Sequence, residues 1–285
     1  MTLRTARNGD VEIAYETFGG RAGEPLILIG GLDGQMLWWH DGFCLALAEA
    51  GFRVVRYDHR DTGLSTHFTG TGRAYRARDM IDDLFAVLTA LDWDSAHLCG
   101  LSMGGGLAQH AALLNPSRIR SLILLSALPM PLTPLSFLRY TRFPGPFKGI
   151  FRRYGSSRQE QIRKQMDIIR LTEAPGRPFE ESWLRATVEA CMDRQPPDPR
   201  VRARQLAAGR GTKLPPGGLR AIPQPTLVIS GRQDPIVKPS AGKALADRIP
   251  GARFTLIDGM GHNFTPEFWP ALVAEITAHT QRISS

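Results

Sequence analysis

The chain has 285 residues, 42% hydrophobic and 22% charged, with a formal net charge of +8, which is the profile of an ordinary globular protein large enough for one α/β domain or a core with an insertion. Its cysteines, Cys44, Cys99 and Cys191, are odd in number, far apart and without C-x-x-C spacing. That argues against a disulfide framework or a zinc site and suits a reducing compartment. The opening MTLRTARNGDVEIAY has no apolar core of signal-peptide length, and no run approaches the roughly 20 apolar residues that span a bilayer, so the expected location is the cytoplasm.

In chain order, DVEIAYETF alternates as an antiparallel edge or hairpin strand would. PLILIGG (Pro25–Gly31), FRVVRYD (Phe52–Asp58), AHLCGLS (Ala96–Ser102) and SLILLSA (Ser121–Ala127) then read as buried strands. Their nearly continuous apolar character is that of parallel strands covered on both faces. Between them RDMIDDLFAVLTAL carries Met80, Ile81, Leu84, Val87, Leu88 and Leu91 at helical spacing. Beyond Ala127 the rhythm breaks. Thirteen of the 21 prolines fall between Pro129 and Pro223, with helical stretches SRQEQIRKQMDIIRLT and FEESWLRATVEACMD among them and no convincing strand. The rhythm resumes with PTLVISG (Pro225–Gly231), a helix over SAGKALADRI, a strand over ARFTLIDG and a final helix near EFWPALVAEITAHTQRI. Strand–helix alternation implies a mostly parallel, doubly wound sheet. The expected core is residues 1–127 and 223–285, with a helical insertion at 128–222.

The basic excess lies wholly in that insertion, where 18 Lys and Arg face 8 Asp and Glu. Solvated helix faces account for such a run most simply, and a positive rim for an acidic substrate or acidic carrier protein is the sharper alternative. No helix-turn-helix, RNA-recognition or zinc-finger pattern occurs, so no nucleic-acid partner is expected.

Gly100-Leu101-Ser102-Met103-Gly104 is a G-x-S-x-G between an apolar strand and a helix, the setting in which that motif presents a nucleophilic serine. Gly100 and Gly104 remove side chains that would clash in so tight a turn. A serine hydroxyl needs a base, and the base needs an acid to orient it. Asp234 follows the strand PTLVISG, and His262 lies in the Gly-rich loop after ARFTLIDG, giving the order Ser, Asp, His that this architecture requires. Asp258 competes as the acid, although four residues before His262 it is better placed to shape the turn. His97 and His110 read as core or helix-face residues, and His279 lies near the C-terminus. His67 sits in a polar loop without an evident partner, while His40 and His59 lie near strand ends with a substrate contact open to them. The loop Gly30-Gly31-Leu32-Asp33-Gly34-Gln35 should supply the Leu32 N–H, acting with that of Met103, as an oxyanion hole. Gly31, Met36 and Trp39 are candidates for the substrate pocket, with core packing the competing role for the run MLWW. In YDHRDTGLST, Asp58, Arg60 and Asp61 are expected to form a buried ion-pair network that fixes their loop. The borders LPMPLTP and KLPPGG would suit hinges.

With these residues in place, YDHRDTGLST, GLSMGG, PTLVISGRQDPI and GMGH resemble the α/β-hydrolase superfamily over essentially the whole chain, and within it the aclacinomycin methylesterase type. The resemblance implies Ser102 as nucleophile, Asp234 as acid, His262 as base, and residues 128–222 as a helical cap. It implies a serine carboxylesterase that needs no metal or cofactor and acts on a small-molecule ester, such as the methyl ester of an aromatic polyketide. Gly30 stands where many members carry the His of an HG pair.

Overall fold

In the computed structural model, which describes residues 2–69, 74–142, 153–176 and 181–284, eight strands form one sheet in the order β1-β2-β4-β3-β5-β6-β7-β8. The parallel part consists of β3 (Glu24–Ile29), β4 (Phe52–Tyr57), β5 (Ala96–Leu101), β6 (Ile119–Leu125), β7 (Thr226–Gly231) and β8 (Arg253–Ile257). The four central runs are almost entirely buried, as continuous apolar sequence demands of strands covered on both faces. DVEIAYETF forms β2 (Val11–Phe18), which pairs antiparallel with both β4 and β1 (Arg4–Asn8). The hairpin reading of this run holds, with β1 rather than β2 taking the sheet edge.

Helices pack on both faces. On one side α1 (Asp41–Glu49) and α9 (Trp269–Ser284) bury Phe43, Leu47, Leu272 and Ile276. On the other, α2 (Ala77–Ala90), α3 (Met103–Leu114) and α8 (Pro239–Ala246) bury Met80, Ile81, Leu84, Leu107, Ala108 and Leu245. The apolar positions read at helical spacing from 80 to 91 are thus the inward face of α2 and its C-terminal cap.

Between β6 and β7 the described residues contain α4 (Pro134–Tyr140), α5 (Arg158–Arg170), α6 (Glu181–Arg194) and α7 (Pro199–Gly209). Ser157 and Asp198 cap α5 and α7 by accepting backbone N–H bonds from Glu160 and Arg200. The start of FEESWLRATVEACMD lies outside the described residues, and α6 covers the rest. This insert has a small apolar cluster of its own, Ile162, Met166, Leu184 and Val188, into which Trp38 of the core packs. No helix among the described residues is long and apolar enough to cross a membrane.

Polar contacts hold the insert to the core, and here the expected network is corrected. Asp58, Arg60 and Asp61 do not pair with one another. Arg60 pairs with Asp83 of α2 at 2.6 Å. Asp58 pairs with Arg194 at 2.7 Å and Asp61 with Arg204 at 2.5 Å, both partners coming from the insert. Gln195 adds hydrogen bonds to the Gly63 N–H and to His67, which thereby has a partner the sequence did not disclose. Part of the basic excess is thus turned inward onto core carboxylates.

Candidate active site

Ser102, Asp234 and His262 follow β5, β7 and β8, so all three emerge at the carboxyl edge of the parallel sheet, where open α/β sheets bind ligands. Ser102 adopts φ 52°, ψ −113°, a conformation that costs a non-glycine residue on the order of 1–3 kcal/mol. Its surroundings compel it. A Cβ on Gly100 would lie 2.5 Å from the Gly104 carbonyl carbon, one on Gly104 would run into the Ile29 carbonyl oxygen, and one on Gly105 would lie 2.5 Å from Ala127 Cβ. Gly106 faces only ordinary contact with Met130. Gly104 therefore lets α3 start hard against the end of β3, while Gly100 and Gly105 let it pass close to β5 and to Ala127 beyond β6. The Ser102 N–H donates to Leu125 C=O at 2.9 Å, and the Ser102 carbonyl accepts from Gly105 at 3.0 Å, which fixes the turn.

Asp234 and His262 are brought together. The imidazole Nδ1 lies 2.9 Å from Asp234 Oδ2, while Asp234 Oδ1 accepts from the N–H groups of Ile236 and Val237 at 2.7 and 2.8 Å. Two backbone donors thus hold one oxygen and leave the other for the imidazole. Asp258 is exposed and pairs with Arg232, so the histidine's carboxylate partner is Asp234. Burial disfavours the charged form of His262, but the charge and hydrogen bond of Asp234, with Glu173 adding to them, outweigh it and hold the pKa above its ordinary 6.5.

The loop after β3 is fixed at several points. The Leu32 amide has no hydrogen-bond partner among the described residues. Gly31 lies against Ser102, with the position of a Cβ 3.8 Å from Ser102 Cβ. Asp33 N–H donates to Gln205 Oε1 of the insert at 2.7 Å, Met36 N–H to Asp58 Oδ1 at 2.7 Å, and Gly34 N–H to Gly31 C=O at 3.4 Å. His59 lies 3.0 Å from Gly30 C=O through Nε2. Burial pushes its pKa down, with the Gly30 bond and Asp83 opposing, so the ring is neutral and its proton sits on Nε2 to serve a carbonyl acceptor. The ring is also 3.7 Å from where a side chain on Gly30 would begin, filling the space that the missing HG histidine would enter.

The remaining candidates separate. Met103 is the first residue of α3, with an amide that helix geometry leaves free. Met36 and Trp39 are each only 1% exposed. Trp39 stacks on Phe43 and packs tilted against Phe264 at ring-centroid distances of 6.0 and 5.1 Å, which is the core-packing role rather than a pocket wall. His40 caps α1 by accepting from Gly42 N–H at 3.0 Å and lies between Trp183 and Trp269, and His59 holds Gly30; packing occupies both rings, in place of the substrate contacts left open for them. His97 bonds Ser121 at 2.7 Å inside the sheet, and His110 is buried on α3, both as expected. Sequence reasoning missed Gln205, Thr172, Asn263 and Glu173. Thr172 C=O accepts the His262 N–H at 2.9 Å, and its hydroxyl accepts from Asn263 at 2.5 Å. An open cleft of about 500 Å³ beside the insert's return is lined by Met130, Leu214, Leu219, Lys213, Arg220 and Arg248; none of the three site residues borders it.

The sheet order, the strained serine turn and the Asp–His pair define a protein of the α/β-hydrolase class. A family model described as alpha/beta hydrolase fold matches residues 24–267, and the chain belongs to that family as one of its hydrolases. More particularly, it is 29% identical over 315 residues to rhodomycin D methylesterase DauP of Streptomyces sp. (strain C5), covering 99% of each chain. It is also 29% identical to rhodomycin D methylesterase DnrP of Streptomyces peucetius, again over 99% of each. Among solved structures, the enol-lactonase from Burkholderia xenovorans LB400 superposes with a TM-score of 0.75 at 25% identity, over 98% of this chain and 100% of that one.

Proposed function

We propose that this chain is a serine carboxylesterase that hydrolyses its substrate through an acyl-enzyme on Ser102. The observation that carries the reading is the His262–Asp234 hydrogen bond at 2.9 Å, at the same sheet edge as a serine forced into positive φ. Ser102 Oγ attacks the ester carbonyl, and His262 Nε2 takes its proton. The imidazolium that forms is stabilised by Asp234 through Nδ1–H, and it then returns a proton to the departing alkoxide. Water repeats the sequence on the acyl-enzyme and releases the acid. The amides of Leu32 and Met103 receive the oxyanion, each worth roughly 3–4 kcal/mol in the transition state. His59, Gln205 and Asp58 hold the Leu32 loop before substrate arrives, so no reorganisation is needed at the moment of reaction.

Because both full-length relatives are described as rhodomycin D methylesterases, the favoured substrate is the methyl ester of an aromatic polyketide or a similar apolar small molecule. A lactone would use the same residues. Hydrolysis of p-nitrophenyl acetate by the wild type and Ser102→Ala tests the nucleophile. The variant should lose at least about 10³-fold in kcat, and a fluorophosphonate should label the wild type alone, at Ser102. Equal hydrolysis by both proteins would refute the assignment. Methanol release from an aromatic polyketide methyl ester then tests the substrate class.

A further inference from the structure

The turn that follows α5 is pinned to the loop carrying the base. Besides the two Thr172 bonds to His262 and Asn263, Gly261 is required there, since a Cβ would lie 2.5 Å from Ala174 N and 2.9 Å from Glu173 Cα. Glu173 therefore sits directly against Gly261, next to the His262 and Asn263 that Thr172 holds, and the Asn263 side chain favours its charged form. Its Oε1 is buried and has no hydrogen-bond partner among the described residues. A buried carboxylate oxygen kept for structure alone normally has a donor; Oε1 has none among the described residues. The charged groups acting on it are His262, Glu267 and Asp234, and those acting on His262 are Asp234 and Glu173 itself. Burial pushes the Glu173 carboxyl up to about 7, against the Asn263 side chain and the His262 charge and with help from Glu267 and Asp234.

We propose that Glu173 is a positioning residue for the base, a second carboxylate carried by the insert that stabilises the imidazolium of His262 while the insert is docked on the histidine loop. The proposal rests on the reading of His262 as the base, but the coupling itself is measurable without any substrate. Asp234 acts through Nδ1, whereas Glu173 acts through space from the insert side, so the base reaches full strength only with the insert in place.

The test follows the His262 ring by ¹⁵N NMR across pH in the full-length protein. In Glu173→Gln, which keeps the shape and removes the charge, the His262 midpoint should fall by roughly 0.5–1 pH unit. The acid limb of kcat/KM for p-nitrophenyl acetate should move down with it. Glu173→Asp, which keeps a charge, should restore most of the shift. Reciprocity supplies a second measurement should Glu173→Gln not fold: in His262→Gln, the ¹³Cδ midpoint of Glu173 should rise by a comparable amount. An unmoved His262 midpoint in folded Glu173→Gln, or an unmoved Glu173 midpoint in His262→Gln, would overturn the proposal. Should fluorophosphonate label Ser102 while neither midpoint moves, the proposal about Glu173 falls alone. Should the midpoints move while Ser102→Ala hydrolyses normally, the esterase assignment falls and the coupling stands.

Discussion

Replacing Arg204 of α7 by methionine should be the most destabilising single change at the junction between insert and core. The guanidinium is 2% exposed and grips Asp61 with two bonds, Nε to Oδ2 at 2.5 Å and Nη2 to Oδ1 at 3.0 Å. Asp61 is fully buried and also accepts from Phe68 N–H at 2.8 Å and Tyr75 O–H at 3.1 Å. Arg60, in the same loop, is committed to Asp83. Losing one partner of such a pair leaves an uncompensated buried charge, a loss of about 3–5 kcal/mol. At about 2–4 °C per kcal/mol for a domain approaching this size, Tm should drop by roughly 6–20 °C. Arg202→Met removes the half-exposed pair with Asp33, at 46% and 37% side-chain exposure, and should cost no more than about 1 kcal/mol. Calorimetry and urea unfolding of Arg204→Met, Asp61→Asn and the double variant complete a double-mutant cycle. The coupling energy should be about 3 kcal/mol, with the double variant far less damaged than the sum of the singles. A loss below about 1 kcal/mol for Arg204→Met, equal to that of Arg202→Met, would refute the reasoning.

Three further changes read other parts of the site. Gly105→Ala should cost several kcal/mol and most of the activity because its Cβ meets Ala127 at 2.5 Å, whereas Gly106→Ala, with only Met130 Sδ at 3.5 Å, should be neutral or stabilise by up to about 1 kcal/mol; thermal melts and ester hydrolysis separate the two. His59→Leu orphans the Gly30 carbonyl, which should cost about 1–3 kcal/mol of stability and lower kcat by one to two orders of magnitude through a loosened Leu32 loop; an unchanged kcat would remove His59 from the oxyanion support. Burial, with Arg120 and His279 adding, lowers His97 to about 4 from 6.5. The unfolded chain therefore binds its proton first, and stability present above 6.5 is lost as the pH falls toward 4, at up to about 1.4 kcal/mol per pH unit. His279, lowered to about 4 mainly by burial, acts in the same direction, while Glu173, raised from 4.5 to about 7, opposes them over much of that window. His97→Gln isolates one contribution: its stability deficit against the wild type should shrink by about 2 kcal/mol between pH 6.5 and 5 in urea titrations, and a constant deficit would show that His97 does not titrate as argued.

What the sequence disclosed and what it hid divide by a physical criterion. Strands β3 to β7 were legible because burial on both faces forces continuous apolar runs. β1 was not: only Ala6 of its five residues is buried, so backbone pairing to β2 holds it and leaves no hydrophobic pattern. α7 was hidden for a different reason. Its inward face is Val201, Arg204, Gln205 and Ala208, a helical spacing in which two of the four buried residues are polar, so hydrophobic periodicity passes over it. α4 leaves Leu135 and Leu138 78% and 63% exposed, the reverse of the amphipathic rule. At the site, the serine motif and its downstream Asp and His were legible because each sits in a recognisable local setting. Gln205 reaches the Leu32 loop across 172 residues and His59 reaches Gly30 across 29; no local pattern encodes either contact.

The insert reaches the site at more points than a cover over the substrate requires. Gln205 holds the loop after β3, Arg142 donates to the Asp234 carbonyl at 3.1 Å, and Thr172 accepts the His262 amide. One inserted segment therefore touches the loops that carry Leu32, Asp234 and His262, the residues proposed as oxyanion donor, acid and base. Most of these contacts are hydrogen bonds and buried ion pairs, whose energy depends on direction and on tenths of an ångström. An apolar seam would tolerate sliding; this one fixes a register. Pro-rich borders still permit movement in principle, but any displacement that breaks the Asp58–Arg194 and Asp61–Arg204 pairs must leave buried carboxylates uncompensated. Opening by rotation of the whole insert is accordingly expensive, and substrate exchange is expected through segments that these pairs do not hold. Amide exchange would distinguish the two routes: protection over 194–205 should persist at substrate concentrations that support turnover, and its collapse on turnover would establish whole-insert opening instead.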